Sequence, residues 1–353
     1  MKLARSVLAL SLSGLVLMAC GGGSGVTAGK KIALLLPGAT ARHDTQDKPY
    51  FEAKLSQLCS DCHVLYSNAQ QDAAQQTQAK EDIANGASVI VLDPVDAAAA
   101  AAIVTMAKAA TIPVISYDGL IVNTADLSYY LAFDTAAIGA LQGTSVLAAM
   151  GSKTNPTIVE INGDPADTKA ALLTQAAHSV LDGHVNLGKE YATPGWTQSN
   201  AQAEMTAALT ALNRKVDGVL AANDAIAGGA IAAMKSVGVG PWPPVTGQGA
   251  DLAAIQRIVT GDQYMTVYEP IRGEAEAAAQ LAYDLAFGVT VPASMTNGRT
   301  VNNGTADVPA VLLTPVVVTK ANIESSVVAD GFWTAGDICT SQYKSACATA
   351  GIS

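Results

Sequence analysis

The sequence predicts an α/β protein made of two doubly wound parallel-sheet domains, joined by about three hinge crossovers. Short apolar runs alternate with longer Ala-rich amphipathic stretches, and this pattern restarts once, after residues 133–134. The apolar runs are nearly continuous, which is typical of parallel strands that helices cover on both faces. A chain of 353 residues is also long enough for two domains of ordinary size.

The predicted strands of the first domain are short, rich in Val, Ile and Leu, and bounded by Pro, Gly or Asp. They lie at residues 31–37, 63–66, 87–92 and 113–117. The Ala-rich stretches between these strands have the length and polarity of surface helices. The predicted helices lie at residues 49–58, 70–85 and 97–110.

The second domain repeats this alternation. Its predicted strands lie at residues 157–161, 185–191, 218–221, 245–247 and 265–268, and its predicted helices lie at 167–181, 199–212, 225–237 and 251–258. A further helix at 274–287 is expected to return to the first domain, and residues 311–319 are expected to supply strand material for the second.

These elements give two lobes and a short tail. The N-terminal lobe takes residues 31–134 and 273–300, the C-terminal lobe takes 135–272 and 301–333, and residues 334–353 form a C-terminal tail. Ligands of open α/β sheets lie beyond the carboxyl ends of the strands. Two such lobes that face each other therefore form a cleft that can close on a small molecule.

Residues 1–19 have the features of a signal peptide. Lys2 and Arg5 precede an apolar run that is too short to span a bilayer and that ends in Leu-Met-Ala before Cys20. This ending resembles the lipobox of bacterial lipoproteins, which implies cleavage before Cys20 and diacylglycerol on its thiol. Residues 20–30 then read as a lipidated Cys and a flexible Gly/Ser tether. We expect the protein to be exported and to be held at the outer face of the cell membrane by this lipid anchor alone.

The charge and the motifs exclude several classes of function. The net charge is −10, without a basic run, which argues against a nucleic-acid partner. The sequence contains no GxSxG, HExxH or GxxxxGK[ST] motif. His63, His178 and His184 are interpreted as surface or hydrogen-bonded side chains. We therefore expect no enzyme activity, no cofactor and no metal.

Four cysteines besides Cys20 form two local pairs, Cys59 with Cys62 and Cys339 with Cys347. The CxxC pair could be a redox motif or half of a zinc site with His63 as a third ligand, but no fourth ligand is apparent. In an exported protein, two structural disulfides are the favoured interpretation.

Polar side chains recur directly after the predicted strands. Planar side chains with several hydrogen-bonding atoms suit sugar hydroxyls, and an aromatic side chain suits the C–H face of a pyranose. The side chains of this kind at strand ends or in nearby loops are Arg42, His43, Asp118, Asp164, Asp167, Trp196, Asn223, Asp224 and Gln248. Each could instead be a helix cap or a loop residue. Their repetition at strand ends favours a cleft for a small polar molecule, most simply a sugar.

Several short stretches match the sequence pattern of one known protein family. They include Val-Ile-Ser-Tyr-Asp at 114–118, Phe-Asp at 133–134, Ala-Asn-Asp at 222–224, Gly-Gln at 247–248, Met-Thr-Val-Tyr at 265–268 and Val-Asn-Asn-Gly at 301–304. On these stretches, residues 31–332 resemble the xylose-type sugar-binding proteins of ABC importers, in the type I periplasmic-binding (ribose- and galactose-binding) superfamily. The resemblance implies the two-lobed fold with its ligand in the cleft.

The resemblance also implies a set of ligand contacts. The residue type of the family is kept at Arg42, Asp118, Asp167, Trp196 and Asn223. In the implied mechanism the first two hold the ligand from the first lobe and the other three engage it from the second, so that closure buries it.

Five other positions differ from the family's pattern and leave the identity of the sugar open. His43 stands for an aromatic residue, Gly119 for an arginine, Lys169 for an asparagine, Gly249 for an aspartate and Glu269 for a lysine. Lys169 gains a positive charge where Glu269 gains a negative one. We therefore hypothesise that these two side chains pair across or beside the cleft.

The expected function is binding and delivery. A monomer would capture a small sugar and dock on the permease and ATPase subunits of an ABC importer. Two alternatives stay open: a non-pentose polyol, nucleoside or amine-bearing ligand in the same cleft, and an extracytoplasmic sensor with the same fold.

Overall fold

The computed structural model describes residues 29–38 and 42–353. The predicted signal peptide, Cys20 and most of the tether lie outside the described residues. None of the helices within these two ranges is both long enough and apolar enough to cross a bilayer.

The strands of the described residues belong to two lobes and are numbered in chain order. They are β1 (Lys31–Pro37), β2 (His63–Ala69), β3 (Ala87–Leu92), β4 (Val114–Tyr117), β5 (Tyr129–Phe133), β6 (Thr157–Asn162), β7 (Asn186–Ala192), β8 (Gly218–Ala221), β9 (Met265–Tyr268), β10 (Thr300–Asn302), β11 (Asp307–Leu313) and β12 (Val316–Thr319).

The α-helices cover the faces of the sheets. They are α1 (Lys48–Leu58), α2 (Asp72–Ala84), α3 (Ala101–Ala109), α4 (Thr135–Met150), α5 (Thr168–Leu181), α6 (Gln198–Ala211), α7 (Asp224–Val237), α8 (Leu252–Thr260), α9 (Ile271–Phe287), α10 (Ala293–Thr296), α11 (Ala335–Ile338) and α12 (Lys344–Ala350). Short π-helical turns at His43–Asp47 and Glu324–Val328, and a 3₁₀ turn at Pro194–Trp196, complete the helical structure of these ranges.

The N-terminal lobe is built on a sheet in the order β10-β11-β5-β4-β3-β1-β2. All of its neighbouring strands are parallel except β10, which pairs antiparallel with β11. Strand β1 shows why the apolar runs are continuous. Leu35 packs into the cluster that holds Ile103 of α3, whereas Leu34 packs into the opposite cluster, with Phe51 of α1 and Ala278 of α9. Both faces of the sheet are thus buried.

The C-terminal lobe contains β6 between β7 and β8, all parallel. Single parallel bridges extend this order, from Val219 to Val245 and from Gln248 to Val267 of β9, and β9 then pairs antiparallel with β12. Residues of α6 and α7 form the apolar cluster on one face, and residues of α4 and α5 form the cluster on the other. The predicted fold class, two doubly wound α/β lobes, is confirmed.

The chain crosses between the lobes three times, after β5, after β9 and after β11. The helix predicted at 274–287 does return to the N-terminal lobe, as α9. The structure corrects the assignment of residues 301–313 to the C-terminal lobe. Strand β11 pairs parallel with β5, and Val308 and Ala310 are buried in the N-terminal core. Of the residues after position 300, only β12 and those that follow it lie in the C-terminal lobe.

Residues 334–353, expected to be a tail, pack as part of the C-terminal lobe. Ile338, Cys347 and Ile352 are buried in one apolar cluster with Ile255 and Ile258 of α8. Cys347 is bonded to Cys339 there. In the other lobe Cys59 is bonded to Cys62, directly after α1. Both pairs are therefore joined as disulfides in the structure.

Close packing of α4 on α5 leads to a stability prediction. A Cβ at Gly139 would lie 2.2 Å from the Leu173 carbonyl oxygen, a backbone atom that cannot move alone. We expect Gly139→Ala to lower the free energy of unfolding by about 1–3 kcal/mol, as overpacked cores do. Chemical denaturation of the purified protein would measure the change.

The matched control is Gly273→Ala in α9, where a Cβ would meet no atom within 4 Å. Because alanine favours the helix over glycine, this variant should be neutral or more stable by up to about 1 kcal/mol. Equal effects of the two substitutions would contradict the packing argument.

Candidate functional site

A cavity of about 300 Å³ lies between the two lobes. Its lining contains eight side chains that sequence analysis places at the ligand site or beside the cleft: Arg42, Asp118, Asp167, Lys169, Trp196, Asn223, Gln248 and Glu269. Tyr130, Ala132, Phe133, Thr135, Ile138 and Leu173 complete the lining. Asp118 directly follows β4, and Glu269 directly follows β9. Carboxyl ends of strands from both lobes therefore meet at one place.

Arg42 is the centre of the polar side of the cavity. Its Nη1 donates to Asp118 Oδ2 at 2.9 Å, and its Nη2 donates to Glu274 Oε2 at 2.9 Å. Its Nε donates to Asp47 Oδ2 at 3.1 Å. Tyr117 donates its hydroxyl proton to the other oxygen of Asp47. One guanidinium therefore donates hydrogen bonds to three carboxyl groups through its fork of donors, a geometry that lysine cannot supply.

Burial and the charges around Arg42 together shift two carboxyl pKa values in opposite directions. Burial raises the pKa of Asp118, but Arg42 and Lys169 lower it more, so the net pKa lies below the ordinary value. Asp118 is therefore ionised at neutral pH. Burial, followed by the nearby Asp118, raises the pKa of Glu274 well above its ordinary value. Glu274 is fully buried, and its Oε1 has no hydrogen-bond partner among the residues that the structure describes.

Lys169 forms its ion pair with Asp118, and among the described residues it makes no direct ion pair with Glu269, although each of the two charges favours ionisation of the other. Lys169 Nζ lies 3.4 Å from Asp118 Oδ1. Glu269 instead accepts a hydrogen bond from Gln248 Nε2 at 3.0 Å. No cation of the described residues lies within 4.0 Å of the Glu269 carboxylate. Burial raises the pKa of Glu269.

Trp196 is the aromatic side chain of the cavity, and its position is tightly constrained. Its φ of +56° is in the left-handed region, which a bulky side chain rarely adopts outside functional sites. The preceding Gly195 donates its backbone N–H to Asp164 Oδ2 at 2.6 Å. The indole ring lies over Gly163, where a Cβ would be 2.0 Å from a ring carbon. Asp164 thus stabilises the loop that carries Trp196, and it does not line the cavity.

Asp167 and Asn223 combine two roles that sequence analysis treats as alternatives. Asp167 Oδ1 accepts the backbone N–H of Lys169 at 2.8 Å at the start of α5. Asn223 Oδ1 accepts the backbone N–H of Ile226 at 2.8 Å at the start of α7. Both side chains cap a helix and also line the cavity. Asp224, by contrast, is buried and accepts hydrogen bonds from Gln263 and Thr266, so it supports the lobe.

The structure does not place His43 in the cavity lining. His43 is buried, with Nδ1 at 3.0 Å from the Gly38 carbonyl oxygen and Nε2 at 4.0 Å from Asp93. It follows Arg42 in a π-helical turn that directs it into the lobe, so it does not line the cavity.

The two glycines that replace charged family residues lie outside the cavity lining. A Cβ at Gly119 would be 2.8 Å from Pro94, so an arginine could not be added without rearrangement. Gly249 lines a neighbouring cavity of about 440 Å³, together with Phe332 and Trp333. Arg42 and Glu269 line both cavities.

Sequence analysis missed Tyr130, Asp47 and Glu274. Tyr130 hydrogen-bonds the Asp118 carbonyl oxygen at 3.2 Å, and the other two support Arg42. An acidic residue on the buried face of an Ala-rich helix, as in α9, is the sequence signal that could have found Glu274.

A profile of the periplasmic binding protein domain matches residues 32–289. The chain belongs to the periplasmic binding protein family. The D-xylose-binding periplasmic protein of Escherichia coli is 36% identical to it over 307 residues, 86% of this chain and 90% of that protein. The multiple sugar-binding periplasmic receptor ChvE of Rhizobium radiobacter is 31% identical over 284 residues, 75% of this chain and 80% of that protein.

Solved structures of solute-binding proteins share the fold. A carbohydrate transporter solute binding protein from Chloroflexus aurantiacus, in complex with D-glucose, superposes with a TM-score of 0.72. It is 28% identical and covers 87% of this chain and 98% of its own. The family resemblance derived from the sequence is confirmed.

The Arg42 network leads to a second stability prediction. Arg42→Met leaves Asp47 and Glu274 buried without their cation. We expect it to lower the free energy of unfolding by about 3 kcal/mol or more at pH 7. Adding Glu274→Gln should restore part of that loss, because one uncompensated charge disappears. Chemical denaturation would measure both.

The control is Arg299→Met, which breaks a more exposed pair with Asp134 and should cost about 1 kcal/mol or less. The loss of unfolding free energy in Arg42→Met should grow as pH rises. Carboxyls without a cation have raised folded-state pKa values, so their contribution to stability is present at low pH and is lost as they ionise. A deficit equal to that of the control would contradict the proposed network.

Proposed function

We propose that this periplasmic binding protein captures a neutral monosaccharide in its pyranose form and delivers it to an ABC importer. The observation that carries the proposal is a small polar cavity lined from both lobes and bordered by one aromatic side chain. A volume of about 300 Å³ lies at the lower end of the range for ligand pockets, as a single sugar ring requires.

The charge arrangement supports a neutral, hydroxyl-rich ligand. Asp118 is ionised but is neutralised by Arg42 and Lys169. Neighbouring sugar hydroxyls can donate to such a carboxylate and accept from the guanidinium, and charge-assisted hydrogen bonds of this kind are strong. Trp196 can pack against the C–H face of the ring. The D-xylose-binding and multiple sugar-binding relatives, and the structure solved in complex with D-glucose, agree with this chemistry.

One observation favours a second ligand class. Glu269 lines the cavity with Gln248 as its hydrogen-bond donor and with no cation of the described residues within 4.0 Å. An amine placed beside Glu269 would neutralise it. An amino sugar is therefore the second candidate.

The binding test is a ligand panel on residues 26–353, read by thermal shift and by calorimetry. The panel holds D-xylose, D-glucose, myo-inositol, D-glucosamine and a ribonucleoside. We expect an aldose to bind with a Kd of about 1 μM, or about −8 kcal/mol, and to raise Tm by mass action. Recovery of the sugar unchanged after incubation would agree with binding without catalysis. Binding of D-glucosamine alone would favour the second candidate, and no binding by any of the five would contradict both.

Trp196 gives this test a structural control. Trp196→Ala and Gly163→Ala should both weaken binding by about 10–100-fold, or about 1.4–2.8 kcal/mol. Gly163→Ala keeps every cavity side chain but forces the indole ring to move. Leu172→Ala, exposed on α5, should leave affinity unchanged. Unchanged affinity in Gly163→Ala would show that the ring position does not matter.

We further propose that the mature chain is anchored through lipid on Cys20, in agreement with the sequence of residues 17–25. Lipoprotein anchoring with two or more acyl chains gives durable attachment, where one chain gives only marginal binding. In cells that process lipoproteins, the chain should incorporate labelled palmitate and partition into the detergent phase. Cys20→Ser should abolish both, and labelling that persists in Cys20→Ser would disprove the anchor.

A further inference from the structure

A second polar cluster lies in the C-terminal lobe, away from the cavity. It consists of Glu160 on β6, Glu190 on β7 and His178 on α5. One ligand atom of each residue lies within 4.8 Å of the others. His178 Nε2 is 3.2 Å from Glu160 Oε2 and 3.7 Å from Glu190 Oε1.

The two carboxylates are held together by the sheet itself. Glu160 and Glu190 are direct partners in the parallel register of β6 and β7, so their side chains share one face. Like charges directly opposite each other destabilise a sheet. This pairing therefore requires a positive charge nearby.

Glu160 makes that requirement stronger. Its side chain is 1% exposed, and its Oε2 accepts no hydrogen bond from the described residues, although His178 Nε2 lies 3.2 Å away. Burial raises the pKa of Glu160. A buried carboxylate oxygen that accepts no hydrogen bond is costly, and a cation bound in the cluster would satisfy it.

The surroundings of His178 orient it as a ligand. Its Nδ1 lies 3.0 Å from Asp182 Oδ1, which assigns the ring proton to Nδ1 and leaves the Nε2 lone pair directed at the two glutamates. When a histidine binds a metal through one ring nitrogen, its other ring nitrogen usually donates a hydrogen bond to a carboxylate or a backbone carbonyl. Asn162 Nδ2 likewise donates to Glu190 Oε1 at 3.0 Å.

We propose that Glu160, His178 and Glu190 form a binding site for a divalent transition metal, with Zn²⁺ the best match. One imidazole nitrogen and two carboxylate oxygens suit Zn²⁺, whereas Ca²⁺ takes six to eight oxygens. Bonds of 2.0–2.1 Å in a tetrahedron separate ligand atoms by about 3.3 Å. The two distances from His178 Nε2, 3.2 and 3.7 Å, are close to that value.

Solvent can reach this site and supply a fourth ligand. The His178 side chain is 26% exposed and that of Glu190 is 43% exposed. A bound ion would join β6, β7 and α5, and α5 begins beside Asp167 and Lys169 of the cavity. The inference does not depend on the proposed sugar function.

The alternative is that a second proton on His178, and no metal, offsets the two carboxylates. Burial lowers the pKa of His178, but the bonded Asp182 and the nearby Glu160 raise it more, so the net pKa lies above its ordinary value. The test must therefore measure metal directly.

The experiment uses tag-free protein without its signal segment, treated with a chelator and dialysed. Zn²⁺ is then titrated by calorimetry at pH 7.5, and Co²⁺ serves as a spectroscopic probe of tetrahedral geometry. We expect one Zn²⁺ per chain, a raised Tm and a tetrahedral Co²⁺ spectrum. His178→Gln should abolish binding, and Asp182→Asn should weaken it about 10–100-fold.

Two further variants keep the outcome decisive. The Glu190 side chain is partly exposed, so the Glu190→Gln variant should fold even if His178→Gln does not. It should also lose high-affinity Zn²⁺ binding. His184→Gln alters an exposed histidine close to the same helix end and should change nothing. The absence of stoichiometric Zn²⁺ binding, or binding that survives both His178→Gln and Glu190→Gln, would overturn the proposal.

Discussion

The cleft depends on a single guanidinium that binds carboxyl groups from three separate segments. Asp47 comes from the turn before α1, Asp118 from the end of β4, and Glu274 from α9 after the second crossover between the lobes. Because a buried carboxylate without a cation costs several kcal/mol, these segments can meet only around Arg42. Arg42 therefore joins the end of the sheet to the helix that returns through the hinge, and it also presents a donor to the cavity.

Lys169 extends this network across the cleft. It reaches from the start of α5 in the C-terminal lobe to Asp118 in the N-terminal lobe. At 48% exposure the Lys169 side chain is well solvated, so the pair is weak. A ligand that bonds Asp118 in the cavity would add to the same network. The contact between the lobes at this point is therefore a weak one.

Helix α5 connects two sites of different character. Its first turn supplies Asp167 and Lys169 to the cavity, and its last turns supply His178 to the cluster on β6 and β7. Gly139 and Gly143 of α4 allow close packing along the opposite side of α5. The helix is therefore held on both sides, which keeps the cavity residues at its first turn in a defined position.

The two-lobed α/β fold and most of the cavity follow from local sequence. Continuous apolar strands, helix caps and polar residues at strand ends are short-range signals. They single out Asp118, Asp167, Trp196 and Asn223, which the structure brings to one cavity. Strand β11 was misassigned because its apolar composition suits either sheet, and only its register with β5 decides between them.

Tertiary structure alone decided the rest, since those contacts join residues far apart in the chain. It turned His43 into the core, paired Lys169 with Asp118 instead of Glu269, and brought Glu274 to Arg42. The sequence by itself determined which residue types stand at the strand ends. Which of them face each other depends on how the lobes and sheets pack, and no short-range pattern encodes that arrangement.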